Sequence, residues 1–373
     1  MKKLGFGLMR LPVLSTEDNS KVDFELAKKM IDEFMARGFT YLDTAWMYHN
    51  FKGEEATKKI LTERYPRESY QLATKMHFSF TETAEDMDKI FNKQLEHCGV
   101  EYFDYYLLHD LNIHYIDKVK AFDARKWILE KKEQGLVKHI GFSFHDDEDV
   151  LKDMLDYFPE AEFVQLQLNY IDWESEGIRS KRCYDEVVSR GKKVIVMEPV
   201  KGGTLANVPA EAEAVMKAAR PDWSVASWAL RFAASLPDVM MVLSGMSNEE
   251  QVLDNLKTFE NFEPLNEEEH KVIDKVIDII SHTVAIPCTS CAYCTTACPI
   301  GMPIPKYFSL YNADKQEIEE KKVTSQFEYY DNLIKAFPKA SDCAGCRACE
   351  MLCPQHIAIA DRLVEVAEYF EKD

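Results

Sequence analysis

The sequence predicts an α/β protein: a closed (β/α)8 barrel followed by a small, mainly α-helical domain rich in cysteine. Three observations carry this reading. Roughly the first 260 residues alternate strand and helix without exception. The alternation runs to eight repeats, the number at which a parallel sheet closes on itself. Eight of the ten cysteines then fall after it, in two copies of one spacing. The expected division is residues 1–281 for the barrel with a connector helix, and 282–373 for the cysteine-rich domain.

The expected strands are Lys3–Leu8, Thr40–Leu42, Tyr70–Thr74, Tyr102–Leu108, Val137–Phe142, Phe163–Leu168, Lys193–Met197 and Val239–Leu243. Between them lie stretches of helical period, among them Phe24–Arg37, Ala84–Cys98, Ile116–Gln134 and Val225–Ala234. Gly38, Gly99, Gly135 and Gly191 stand where a helix needs a left-handed residue before the next strand. Thr81 to Thr83 offers N-cap candidates. A doubly wound open sheet shares the local alternation, but eight repeats favour closure. After the last repeat, Asn266–Ser281 carries the apolar stripe Val272, Ile273, Val276, Ile277 and Ile280, which reads as a connector helix packed on the barrel. A helical insertion is expected over 315–335, between the two cysteine runs.

Those runs are Cys288-x2-Cys291-x2-Cys294-x3-Cys298-Pro299 and Cys343-x2-Cys346-x2-Cys349-x3-Cys353-Pro354. This spacing, used twice, is the ligand pattern of two [4Fe–4S] clusters, in which the fourth cysteine of each run serves the other cluster. One expected set is therefore Cys288, Cys291, Cys294 and Cys353; the other is Cys343, Cys346, Cys349 and Cys298. Zinc sites use paired two-cysteine knuckles and fit this pattern less well. Disulfides need an oxidising compartment, of which the sequence gives no sign.

Lys and Arg number 45 against 64 Asp and Glu, a net charge of −19. Such a surface repels nucleic acid and anionic lipid, so neither is expected as a partner. An electron-transfer protein such as a ferredoxin is the partner the cysteine chemistry suggests. No apolar run is long enough to span a membrane, and the first residues lack a signal peptide's apolar stretch, so a cytoplasmic location is expected. Cys98 and Cys183 lie in helical patterns and read as inert buried thiols. His49, His77 and His145 read as surface or loop residues.

Barrel enzymes place their chemistry at the C-terminal ends of the strands. Asp43 ends the second strand, Tyr48 follows in its loop, Lys75 ends the third and His109 the fourth. Such a group makes an acid device. An ammonium beside the phenol is expected to lower its pKa, a carboxylate holds the Lys in place, and the Tyr can protonate a carbonyl oxygen as hydride arrives at carbon.

At these residues the chain resembles the aldo/keto reductases. The likeness rests on Gly5-Phe6-Gly7-Leu8-Met9-Arg10-Leu11-Pro12, Asp43-Thr44-Ala45-x2-Tyr48 with Gly53-Glu54, Ala73-Thr74-Lys75 and Tyr106-Leu107-Leu108-His109. It continues through Ile140-Gly141-Phe142-Ser143, Val164-Gln165, Pro199-Val200-x-Gly202-Gly203 and Gln251-Val252-Leu253-Asp254-Asn255. The last third is similar to a ferredoxin-fused branch, including Ala340-Ser341-Asp342-Cys343 and Cys353-Pro354-Gln355. The resemblance implies a small-molecule carbonyl or alcohol substrate, with Tyr48 as proton donor, Asp43 and Lys75 as its tuners, and His109 orienting the carbonyl. It further implies Ser143 and Gln165 on a nicotinamide carboxamide, Gly202 and Gly203 on the pyrophosphate, and Gln251 and Asn255 near the adenosine.

The chain also departs from that pattern. It starts almost directly with the first strand, so something other than the usual hairpin has to close the barrel's bottom. Met197 stands where an aromatic commonly stacks on nicotinamide, with Glu198 after it. Gly245, Met246 and Gln251 leave no cation for a 2′-phosphate, so NADH is expected at least as readily as NADPH. A nicotinamide moves two electrons and a cluster one, so a flavin (FMN or FAD), in place of or beside NAD(P)H, is a further expectation. Three functions follow: an oxidoreductase whose clusters relay electrons, an NAD(P)H-dependent reductase with structural clusters, and a non-catalytic electron-transfer subunit. The intact Asp, Tyr, Lys and His set argues against the last.

Overall fold

A computed structural model describes residues 2–15, 17–146, 148–174, 179–281, 285–315, 327, 330, 333–334 and 337–371. These fall into two compact units. One comprises Met1–Glu174, Arg179–Pro199 and Ser227–Leu265, and the other is mainly Val200–Ala226 with Asn266–Asp373.

The first unit contains a closed barrel of eight parallel strands in sequence order, with helices around it. The strands are β1 (Leu4–Gly7), β2 (Tyr41–Asp43), β3 (Gln71–His77), β4 (Phe103–Leu111), β5 (Val137–Phe144), β6 (Phe163–Gln167), β7 (Lys193–Met197) and β8 (Val239–Gly245). Each expected strand is present. β3, β4 and β5 run further toward their C-terminal ends than apolar content suggested, because Lys75, His77, His109 and Ser143 continue the ladder as buried polar residues. The four helix-ending glycines all have positive φ, between 64° and 75°. The stretch Ile116–Gln134 is broken into Ile116–Ala121 and Ala124–Glu133, with Asp123 left-handed (φ 51°) at the break. No hydroxyl of Thr81 or Thr83 caps the helix Glu85–Cys98; Asp86 instead accepts the amides of Glu82 and Thr83, each at 2.9 Å.

Side chains alternate across a strand, so every second residue faces the interior. The inner tier is Tyr41, Ala73, Tyr105, Leu107, Phe163, Ile195, Met241 and Leu243, all buried. Tyr41 meets Tyr105 edge-on with centroids 5.0 Å apart, and Tyr105 meets Phe163 at 5.5 Å. These large rings fill the barrel at this level. Gly5 and Gly141 make room for them. A Cβ on Gly5 would lie 2.9 Å from the Tyr41 ring, and one on Gly141 only 2.4 Å from the Phe163 carbonyl oxygen.

In the second unit the helix Glu267–Ser281 buries Ile273, Val276 and Ile280, as its stripe requires. Its neighbour there is the helix Ala210–Ala219, and Arg220 Nε donates to Glu269 at 2.8 Å. A separate core gathers Ile286, Met302, Tyr307, Phe308, Leu363 and Phe370 around the cysteine runs. Most of the expected insertion over 315–335 lies outside the described residues.

Because the clash at Gly141 is with backbone, Gly141→Ala is expected to destabilise the fold by about 1–3 kcal/mol, the usual range for overpacking. Calorimetry would show this as a lowered Tm, and an unchanged Tm would mean the aromatic tier can shift to accept a methyl group.

Candidate active site

Two residues beyond the inner tier, on the same inward face, stand Asp43 after Tyr41, Lys75 after Ala73, His109 after Leu107 and Gln165 after Phe163. The period of two thus carries these polar groups to the barrel's C-terminal mouth. Lys75 has no exposed surface, and Asp43, His109, Ser143 and Gln165 are all buried. The Lys75 ammonium donates to Asp43 Oδ1, to the Thr44 carbonyl at 2.9 Å and to the Tyr48 hydroxyl at 3.2 Å. Its three donors are therefore matched, and the phenol, having accepted from nitrogen, keeps its own O–H to donate.

Tyr48 is held by an unusual turn. His49, Asn50 and Phe51, none of them glycine, are all left-handed, with φ of 52°, 52° and 65°. Strain of this kind persists only where surroundings impose it. The anchor is His49, which lies in the turn but is buried, where its sequence context suggested a surface or loop residue. Its ring nitrogens lie 2.7 Å from the Asn19 carbonyl and 2.9 Å from that of Leu8. Gly53 completes the turn, since a Cβ there would sit 2.9 Å from Tyr48 Cβ.

The electrostatics correct one expectation. Lys75 does not bring the Tyr48 phenol down. Burial pushes it well above its ordinary value, and the charges of Asp43, Glu198 and Asp110 add to that. The physical reason is that Asp43 offsets the ammonium, so the phenol sits in a dry and, on balance, negative setting. Burial likewise presses Lys75 down and Asp43 up, each opposed by the other's charge. His109 is pushed well below its usual value, by burial first and then by Lys75, His77 and His145, so it is a neutral imidazole. Its ring meets that of Tyr48 edge-on at 6.0 Å.

His109 is aimed by an irregularity in β4, whose register against β5 shifts between Leu108 and Leu111. Asp110 is left-handed there (φ 53°), and its amide donates to Ser143 Oγ at 2.8 Å. His77, also buried and not a surface residue, accepts the Ser79 amide on Nδ1, so Nε2 carries the proton it shares with Asp110 at 3.0 Å.

Four buried polar atoms at this mouth find no hydrogen-bond partner among the described residues: Asp43 Oδ2, His109 Nδ1, Gln165 Oε1 and Glu198 Oε2. Native proteins seldom leave such atoms unmet, and a bound ligand would meet them. Gln165 Nε2 lies 3.5 Å from Met197 Sδ, and Glu198 is left-handed (φ 57°), its carbonyl accepting from Asn169 at 3.2 Å. Asn255 is buried and donates to Ser244 Oγ at 2.9 Å, while the Gln251 side chain accepts the Ser247 amide at 2.7 Å. Gly203 has open space where a Cβ would be (φ 108°), whereas a Cβ on Gly202 would strike the Thr289 carbonyl at 2.3 Å.

In the second unit one cavity, partly open to solvent, is lined by Cys288, Cys291, Cys294 and Cys353. The crossed set anticipated from spacing is thus brought together. Burial, followed by Cys291, Cys288 and Cys353, pushes the Cys294 thiol up to about 12. Cys349 is pushed up to about 11 by burial, with Glu350, Cys343 and Cys298 also raising it, which puts those two thiols of its crossed set within electrostatic reach. The two runs also repeat their backbone geometry. Left-handed residues recur at equal offsets: Ser290 and Gly345, Ala292 and Arg347, Gly301 and His356. Among the described residues no three Cys, His, Asp or Glu side chains converge on a point that would hold a single ion. Thiols placed around a cavity suit a cluster bound at its corners.

Behind Lys75 lies a buried network to which no role was given from sequence. Glu54 Oε1 accepts from Thr74 at 2.7 Å and from Gln94 at 2.8 Å; Gln94 also donates to the Lys75 carbonyl at 2.9 Å and accepts from Tyr106 at 2.5 Å. Glu54 Oε2 lies 3.6 Å from His97, whose ring stacks on Trp46 at 5.5 Å. The Glu54 carboxylate raises the His97 pKa against the opposing effect of burial. A raised pKa in the folded state means a stabilising contribution complete below the ordinary imidazole value and lost as pH rises through the folded one. His97→Gln is accordingly expected to lower Tm clearly at about pH 6 and less at about pH 9, where the imidazole is neutral. An equal loss at both would leave the Glu54 interaction without a role.

Three comparisons bear on identity. Residues 3–278 match the aldo/keto reductase family, and residues 287–358 match a 4Fe-4S dicluster domain. An uncharacterized oxidoreductase, YqkF of Bacillus subtilis, is 25% identical over 305 residues, covering 73% of this chain and 92% of its own length. The holo form of the aldo-keto reductase AKR11C1 from Bacillus halodurans superposes with a TM-score of 0.58 at 24% identity, over 74% of this chain and 91% of its own. An aldo-keto reductase from Klebsiella pneumoniae, solved with NADPH, has a TM-score of 0.58 at 20% identity, over 74% and 90% of the two chains. The barrel, its mouth and the cysteine domain make this chain an oxidoreductase of the aldo/keto reductase family, with a 4Fe-4S ferredoxin-like domain after the barrel.

Proposed function

We propose that this protein reduces or oxidises a small carbonyl or alcohol compound with Tyr48 as general acid and base, and that two [4Fe–4S] clusters relay electrons for it. The observation that carries this is the Asp43, Lys75 and Tyr48 chain of hydrogen bonds beside a neutral His109, with unmet polar atoms facing the same mouth. In the reducing direction the substrate oxygen gains charge as its carbon is reduced. His109 and the Tyr48 hydroxyl hold that oxygen, and the phenol then gives up its proton. A phenol kept protonated by burial is suited to this, because an alkoxide is a stronger base than a phenolate. Lys75, already donating to the Tyr48 oxygen, stabilises the phenolate that remains. In the oxidising direction the same phenolate takes the proton.

Rings bracket the mouth: Trp46, Phe51, Phe80, His77 and His109 follow one another with centroids 5.2 to 6.1 Å apart. An aromatic rim of this kind favours a substrate that is apolar around its reacting carbon. Ser143, with an O–H left to donate, and Gln165, with Oε1 left to accept, suit a carboxamide, which supports NAD(P)H as hydride source. Met197 and Glu198 are assigned beside the cofactor ring, Gln251 and Asn255 to the adenosine end, and the open backbone at Gly203, with Gly202 before it, to the pyrophosphate. A flavin supplies what a nicotinamide and a cluster lack between them, passage between two-electron and one-electron transfer, and FMN or FAD remains part of the proposal on that ground alone. Cys288, Cys291, Cys294 and Cys353 are assigned to one cluster, and Cys343, Cys346, Cys349 and Cys298 to the other. A ferredoxin-like donor and a cytoplasmic setting accord with oxygen-sensitive clusters.

Protein purified without oxygen is expected to contain about eight iron atoms per chain. Acid release and chromatography then identify any nicotinamide or flavin. Tyr48→Phe is expected to lose carbonyl turnover by about 10²–10⁴-fold while keeping its iron. Undiminished turnover in that variant would remove Tyr48 from the mechanism and leave an electron carrier as the better description.

A further inference from the structure

Within the second unit, the loop Lys201–Ala206 is fixed against the cysteine runs at two points. Gly202 packs so tightly on the Thr289 carbonyl, between Cys288 and Cys291, that no side chain fits. Lys201, buried with 4% of its surface exposed, donates through Nζ to Gln355 Oε1 at 2.7 Å. Gln355 is itself 8% exposed, stands two residues after Cys353, and lines the cavity shared by Cys288, Cys291, Cys294 and Cys353. A Lys can only donate, so the oxygen end of the amide has to face it. The NH2 end is thereby fixed as well, and Gln355 Nε2 is a buried donor with no partner among the described residues.

A buried donor without an acceptor is costly, and a sulfur-rich cluster in that cavity is the acceptor it lacks. Hydrogen bonds to cluster sulfur and nearby positive charge both favour the reduced, more negative state.

We propose that Lys201 and Gln355 form a buried donor pair that raises the reduction potential of the cluster held by Cys288, Cys291, Cys294 and Cys353. Lys201 supplies charge and orients the amide, and Gln355 supplies the hydrogen bond. Both are positioning residues, and the cavity that Gln355 lines is bordered by none of Cys298, Cys343, Cys346 and Cys349. The inference rests on the two-cluster reading of the cysteines.

The test is a potentiometric titration of the anaerobic holoprotein followed by electron paramagnetic resonance, with iron counted beforehand. Wild type has to show two cluster midpoints; if it shows fewer, the cluster reading fails and not this one. Lys201→Met and Gln355→Leu are each expected to make reduction of one and the same cluster at least tenfold less favourable, about 59 mV for one electron. The other midpoint stays where it was. Lys201→Arg is expected to recover most of the loss, and Lys201→Met with Gln355→Leu to lose less than the sum, because the two act through one contact. Gln355→Glu keeps the shape and the Lys201 partner while removing the donor, and is expected to lower the same midpoint should the other variants assemble poorly. Unmoved midpoints with full iron, equal shifts of both clusters, or loss of iron from every variant would each overturn the proposal.

Discussion

The Lys75 ammonium is buried inside the barrel without any exposed surface, and the mouth is arranged to make that tolerable. Removing one partner of a buried ion pair costs about 3–5 kcal/mol, since the remaining charge is left without compensation. Asp43 supplies that compensation, the Thr44 carbonyl and the Tyr48 hydroxyl take the other two donors, and Glu54 adds negative charge from behind. Each group is in turn fixed by something else. Tyr48 depends on the left-handed turn anchored by His49, and Glu54 on Thr74 and Gln94. The geometry of the mouth is thus a consequence of solving one desolvation problem.

The same constraint explains the state of the acid. A Tyr beside a bare ammonium would lose its proton more easily, but a bare ammonium could not be buried here. Once Asp43 balances Lys75, the phenol answers to its dry surroundings and to Glu198 and Asp110 instead. In the proposed reaction, proton donation is then reserved for a partner that develops strong basicity, as a carbonyl oxygen does on reduction.

The cysteine domain solves a different problem. Each run bends sharply between its thiols, and it does so with left-handed residues at matching offsets in both copies. Gln355, just after the second run, lines the cavity of the first and is held by a buried Lys201 from a distant stretch of chain. Two copies of one motif in this way come to lie in unlike surroundings.

Much of this was written in the sequence. Eight alternations and a period of two fix the barrel and its inward face, because burial demands apolar residues at every second position. Cysteine spacing pointed to Cys288, Cys291, Cys294 and Cys353 as one group, and these four line one cavity, because a short chain between thiols keeps them together. Asp43, Lys75 and His109 were legible as polar residues ending apolar strands, and Tyr48 through the family resemblance. What the tertiary structure decided depends on contacts between residues far apart in the chain. Burial of His49 and His77, the Glu54 and Gln94 network behind Lys75, and the raised pKa of Tyr48 all follow from what packs around each group. Lys201 illustrates the limit: nothing beside it in the sequence points to Gln355, and only folding brings it to that residue, 154 positions away. Local pattern encodes which way a side chain faces; the dielectric and the charges it then meets are set by the whole fold.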